Sequence, residues 1–390
     1  MINLQGKRNS AVIFADKIDK PTKTQIASIL RQEAYADSKI RIMPDTHSGK
    51  HVAVGTTMTL HGRISPLLLG VDLGCGMEAL FLEDPDCDLP LLDEQIHRLI
   101  PCGSKIHDEP VSDFDLSALH CKDGVNIQRA QRSIGTLGGG NHFIELDRLD
   151  DGGLLLVIHS GSRQLGSDVS LFYSDLAYKN ACKKARRQVK TARRGREDDG
   201  YFTKTAKRES KVEVKREEAV LEGDLFEQYL HDLSIVTDFA LTNRRTMAEL
   251  ICDAMGFKIK DRFSCIHNYI DTERMILRKG AISARQGERV LIPLNMRDGV
   301  ILGYGLGNPD WNFSAPHGAG RACNRTDARY AYTVEEFQKL MAGIYTTTAN
   351  EGSLDECPMA YKAPERILEF LSDSVEVEQI AKPIYNFKAC

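Results

Sequence analysis

Apolar residues recur along the chain with two distinct periods. Phe226, Tyr229, Leu230, Leu233, Val236, Ala240, Met247, Leu250 and Ile251 return every three or four positions. They predict a long helix over residues 225–255, closed by Gly256. Leu89, Leu92, Ile96 and Leu99 predict a second helix over 89–100. Ile26, Ile29 and Leu30 share one face of a third over 21–36, with Thr22 available as its cap. Thr333-Val334-Glu335-Glu336 reads as a capping box that opens a fourth. Short apolar or β-rich runs predict strands over 11–14, 40–43, 52–60 and 154–158, the last ending on His159. Residues 262–270 read as a further strand, in which Cys265, His267 and Tyr269 share a face. Residues 44–49 read as a loop.

Helices and strands are interspersed without a linker or an internal repeat, which predicts an α+β architecture. A chain of 390 residues can hold two or three average domains or one large one. The chemically interesting residues run from position 45 to the last few, so one domain over 1–390 is expected. The longest aliphatic run, 154–158, is too short to span a bilayer. No charged segment followed by an apolar core opens the chain, so a cytoplasmic location without membrane contact is expected. Ten cysteines form no CxxC pair, which argues against a disulfide framework and a zinc knuckle.

Charge changes this picture locally. The net charge is −4, yet Lys183 to Arg216 holds fourteen basic and five acidic residues. A basic insertion or extended hairpin over 183–220 is expected before the long helix, acting either as a solvated arm or as a nucleic-acid contact.

Five segments carry the candidate chemistry: Val71-Asp72-Leu73-Gly74-Cys75-Gly76-Met77, Gly138-Gly139-Gly140-Asn141-His142-Phe143-Ile144-Glu145, Ile158-His159-Ser160-Gly161-Ser162-Arg163, Cys265-Ile266-His267-Asn268-Tyr269 and Ala315-Pro316-His317-Gly318-Ala319-Gly320-Arg321. Glycines around Asp72 and Cys75 suit a turn that aims both side chains at one point. A thiolate, a carboxylate and several imidazoles suit borderline divalent metals, and a thiolate can bridge two of them. His142, His159 and His267 are the candidate partners. His317, among small residues, reads equally as a nucleophile or as a ligand. Arg163, Lys279, Arg321 and Arg325 can grip phosphate. The residues alone therefore point to a metal-dependent phosphoryl-transfer enzyme.

At these motifs the chain resembles the RtcB family of RNA ligases, from about Asp45 to Lys388. That resemblance implies an RtcB-like domain of mixed central β-sheets flanked by helices. It implies an activity that joins an RNA 3′-phosphate or 2′,3′-cyclic phosphate to a 5′-hydroxyl, with GTP and two manganese ions, in RNA repair or tRNA splicing. Carried over residue by residue, Cys75 would bridge the ions, one also held by His159 and His267 and the other by Asp72 and His142. His317 would become linked to GMP and Asp45 would orient it. Asn141, Glu145, Tyr361 and Lys388 would bind the nucleotide, and Arg163, Lys279 and Arg325 would hold RNA phosphates. An activating partner such as archease serves some relatives, and a monomer is expected.

Three features depart from the family pattern: Pro293-Leu294-Asn295-Met296-Arg297-Asp298-Gly299 in place of Pro-Gly-Ser-Met, His51 in place of glycine, and the basic segment. They suggest a divergent branch devoted to repairing a particular damaged RNA. Two competing readings are a metal-dependent phosphoesterase that trims RNA ends without sealing them, and a catalytically silent RNA-binding module.

Overall fold

The structure is a computed structural model that describes residues 1–198 and 214–389. Two sheets dominate its α+β fold. The larger has seven strands in the order Ile259–Ile266, Gly76–Leu82, Leu154–Ser160, Phe143–Arg148, Val375–Lys388, Gly299–Gly305 and Arg289–Asn295. All its pairings are antiparallel. The other has six, in the order Ile2–Gln5, Ser10–Ile13, Ile40–His47, Val54–Thr59, Ile276–Lys279 and Asn268–Asp271.

The unbroken apolar run before His159 is explained by position. Leu154–Ser160 is a central strand buried on both faces. Leu155 and Val157 join one core with Met77, Phe143 and Leu291, whereas Leu154, Leu156 and Ile158 join another with Met247 and Ile251 of the long helix. That helix, Asp224–Met255, ends on Gly256 in the left-handed conformation, as the sequence predicts. Its first half packs Phe226, Tyr229, Leu233 and Val236 into a third core, under the six-stranded sheet. One helix therefore braces both sheets.

Several sequence expectations need correction. The helix expected over 21–36 spans Lys20–Ile29, and its cap is Asp19, whose carboxylate accepts from Thr22 N at 2.7 Å. Thr22 itself is buried. Residues expected as a loop over 44–49 mostly extend the strand Ile40–His47, which puts Asp45 on a rigid element. The expected strand over 262–270 is two strands, Ile259–Ile266 and Asn268–Asp271, which belong to different sheets. The chain crosses between sheets at His267, so Cys265, His267 and Tyr269 do not line one face. The capping box at Thr333 is present as expected. The first part of the basic segment is no hairpin. It continues the helix Arg163–Asp198, on which Lys183, Lys184, Arg186 and Arg187 are exposed. The side chains of Arg193 and Arg194 and all of residues 199–213 lie outside the described residues.

Candidate functional site

The ends of five adjacent strands meet where the two sheets adjoin. Cys265, Met77, His159, Phe143 and Lys388 form one register row across the seven-stranded sheet. Cys75 precedes the strand Gly76–Leu82, His142 precedes Phe143–Arg148, and His267 lies at the crossover. Register thus brings together residues far apart in sequence.

Their reactive atoms converge. Cys75 Sγ lies 3.5 Å from His142 Nε2 and 3.3 Å from His159 Nε2. His159 Nε2 lies 3.4 Å from His267 Nε2, and His142 Nε2 lies 3.4 Å from Asp72 Oδ2. His142 Nδ1 donates to Leu137 O at 2.8 Å and His159 Nδ1 donates to Asn141 O at 3.2 Å. Those bonds fix the tautomers and leave both Nε2 lone pairs facing Cys75. One thiol hydrogen can satisfy only one of them. A cation on either side of the sulfur satisfies both, so the donor set suits a metal.

Electrostatics agree. Burial holds the His159 and His267 imidazoles far below their ordinary range, in the neutral form that ligates. Burial, then the neighbouring Asp72, drives the Cys75 thiol up, so a bound cation is what would favour its thiolate. Asp72 Oδ2 faces the same bare His142 Nε2 at 3.4 Å, a pair of acceptors that a shared cation would join.

His317 stands at the edge of this cluster, its ring 4.8 Å from that of His267. Its Nδ1 donates to the fully buried Asp45 carboxylate at 2.6 Å, and Asp45 also accepts from His317 N at 3.2 Å. Nε2 is thereby left bare. The strand Ser314–Pro316 carries His317 in, paired with Ala281–Ser283. Gly280 lets the ring approach, since a Cβ there would sit 3.3 Å from His317 Cε1 and 2.2 Å from Val54.

His317 opens on a cavity of about 920 Å³ that also meets Asn141, Glu145, Tyr361, Asn386 and Lys388. Glu145 accepts from Asn386 Nδ2. Asp147 follows on the same strand face. Burial drives both carboxyls up, and for Asp147 the nearby Glu145 adds to it. His47, also on the wall, is pushed down to about 4 by burial and stays neutral. The altered segment contributes Pro293–Met296 to the wall. The new charges do not face inward, because Arg297 pairs with Asp298 at 2.9 Å and Asn295 caps that turn.

The expected phosphate-holding cations separate. Arg163 and Lys279 flank the Cys/His cluster: Arg163 shares a second, smaller cleft with Asp72 and His142, and Lys279 Nζ reaches Asn268 Oδ1 at 3.2 Å. Burial pushes Arg163 down to about 10. Arg325 instead lines the nucleotide-sized cavity, paired with Asp355 and Glu356 at 2.7 Å each.

A family model described as "tRNA-splicing ligase RtcB" matches residues 25–125 and 119–389. The chain belongs to the RtcB family. The RtcB of Escherichia coli K12, described as an RNA-splicing ligase, is 30% identical over 379 residues, 87% of each chain. The RNA-splicing ligase RtcB1 of another Escherichia coli strain is equally similar. The tRNA-splicing ligase RtcB of Aeropyrum pernix is 24% identical, covering 93% of this chain and 91% of its own. RtcB membership and the Cys/His cluster together support use of a metal and a nucleotide.

Sequence reasoning missed two supports of this RtcB site. Glu356 is buried among Arg321, Arg325 and Lys388 and accepts from Tyr361 Oη. Burial would raise it, yet those cations hold it below its ordinary range. It ties together the cavity wall. The second support is Asn243-Arg244, fully buried on the long helix. Arg244 Nη1 donates to Gly74 O and Ser160 O, both at 3.0 Å, and Asn243 holds Thr136, Ser160 and Gly161. The signal was available, since both fall between Ala240 and Met247 on the apolar face. Arg244→Met orphans two buried carbonyls next to Cys75 and His159. It is expected to cost roughly 1–3 kcal/mol for each, read by denaturant unfolding, and to weaken metal retention.

Proposed function

We propose that this chain is a GTP- and manganese-dependent RNA ligase that joins 3′-phosphate or 2′,3′-cyclic phosphate ends to 5′-hydroxyl ends. The observation that carries the reading is the free Nε2 of His317, locked by Asp45 between the Cys/His cluster and a nucleotide-sized cavity. A hydrolase on the same scaffold needs no such oriented nucleophile.

Cys75 would bridge the ions, with Asp72 and His142 on one and His159 and His267 on the other. Bound there, the ions would neutralise phosphate charge and lower the barrier to in-line displacement. His317 Nε2 attacks the α-phosphorus of GTP and pyrophosphate leaves. Asp45 keeps the Nδ1 proton in place and balances charge on the imidazole as the new bond forms. A cyclic phosphate end is first opened by water; the RNA 3′-phosphate then takes GMP from His317, and the 5′-hydroxyl displaces GMP to seal the strand. Asn141 would contact nucleotide phosphate, Glu145 and Lys388 would read guanine, and Tyr361 would line that pocket. Arg163 and Lys279 would hold RNA phosphates beside the ions. Arg325, already neutralised by Asp355 and Glu356, would act nearer the nucleotide.

The test supplies RNA with a 3′-phosphate and RNA with a 5′-hydroxyl, with GTP and manganese. Sealed strands are expected. Dephosphorylated but unsealed ends would instead favour the phosphoesterase reading.

Two further outcomes are expected. An acceptor for guanine N1–H and N2–H must be ionised, whereas burial raises Glu145, and burial with the neighbouring Glu145 raises Asp147. GTP affinity should therefore improve as pH rises through that raised range. The same raised carboxyls favour the folded state at low pH and lose that contribution as pH rises. KM for GTP across pH should be steep in the wild type and flat in Glu145→Gln, while equal profiles count against this role. For the basic helix, glutamine at Lys183, Lys184, Arg186 and Arg187 should flatten the salt dependence of RNA binding. Each lost phosphate contact should change the log–log slope by about 0.7. An unchanged slope rejects RNA contact there.

A further inference from the structure

Outside the candidate active site, the described residues contain a second group of metal-binding side chains: His120, His231 and Asp232. None of the three belongs to the five motifs or lines the nucleotide-sized cavity. We propose that they form a separate site for a borderline divalent cation of the zinc class, with two imidazoles and one carboxylate as protein ligands.

The carboxylate is built for the task. Asp232 is fully buried on the long helix. Its Oδ2 accepts from Cys121 N at 3.0 Å and from the Tyr173 hydroxyl at 2.8 Å, and Oδ1 accepts from His120 N at 2.9 Å. Burial would raise it, yet hydrogen bonds from the Cys121 side chain, His120 N, His231 and Tyr173 hold it below its ordinary range. Backbone and tyrosine donors of this kind fix a ligating carboxylate in orientation.

The imidazoles stand on the solvent side of it. His231 Nδ1 lies 3.1 Å from Asp232 Oδ1, with the His231 side chain 47% exposed. Two ligand atoms on one tetrahedral zinc are separated by roughly 3.3 Å, given bonds of about 2.0–2.1 Å. His120 is exposed, and its ring centroid lies 4.8 Å from that of His231. The imidazole pairs of the catalytic cluster stand at 5.2 and 5.1 Å. One candidate ligand atom from each residue falls within 4.8 Å of the others, a span that rotation of the exposed rings can close.

A cation seated between Nδ1 and Oδ1 takes the Nδ1 lone pair, so the His231 ring binds as the neutral tautomer that carries its proton on Nε2. Water completes the coordination on the exposed side. The bound ion would pin the segment around Leu119–Cys121 to the long helix that also carries Asn243 and Arg244. It is therefore a structural or regulatory site, independent of the ligase reading.

The test counts zinc retained by the full chain after dialysis against buffered micromolar free zinc, in the wild type and in H120Q/H231Q. Both positions are exposed, so the variant should fold, as circular dichroism will verify. The wild type should hold one equivalent more, and manganese-dependent end joining should be unchanged in the variant. The single variant H231Q should weaken that equivalent at least tenfold. Equal zinc content in the wild type and the double variant overturns the site.

Discussion

Cys75→Ala is expected to abolish retention of both metal ions and to lower RNA end joining by on the order of 10³–10⁵-fold, the range that one transition-state cation contributes in phosphoryl transfer. The sulfur is the atom common to both halves of the cluster, within 3.5 Å of His142 and 3.3 Å of His159. Among the described residues no other side chain lies between the two halves, since Asp72 meets His142. Loss of folding is not expected to account for the effect. Cys75 is buried, alanine removes a single heavy atom, and the thiol is engaged only with the other proposed ligands. Metal analysis after gel filtration, beside a thermal melt, separates the two causes. Full manganese content with undiminished joining would remove Cys75 from the centre.

Asp45→Ala is expected to reduce guanylylation by roughly 10⁴-fold while metal content stays at wild-type level. The magnitude follows that of a carboxylate which orients a catalytic imidazole. Without Asp45, the His317 ring loses its 2.6 Å partner and is free to place its proton on the attacking nitrogen. Asp45 touches none of the proposed ligands, so the metals should be retained. Single-turnover label transfer from GTP reads the chemical step, and metal analysis reads the control. Wild-type transfer in this variant would mean that His317 needs no orienting group.

Much of this site was legible in the sequence because its parts are local words. Four of the five proposed ligands sit beside glycine, serine or asparagine, Asp72 lies two residues from Gly70 and Gly74, and the long helix shows its spacing openly. What could not be read was long-range. The strand Val375–Lys388 pairs with Phe143–Arg148 across more than two hundred residues, and that pairing sets Lys388 beside Asn141 and Phe143. The crossover at His267 looked continuous, since both flanking strands share the same β-rich composition. Helical structure over Lys183–Asp198 was hidden because that part of the chain lacks an apolar stripe. Glu356 carries no motif, and only burial among three cations reveals it.

The proposed ligase activity requires a histidine that carries guanylate beside a thiolate-bridged metal pair. GTP labelled at its α-phosphate, incubated with the protein and manganese, tests this directly. We expect about one label per chain, surviving denaturation, released by acid as a phosphoramidate is, and mapped to the peptide bearing His317. Absence of covalent label from a folded, manganese-loaded protein would contradict it.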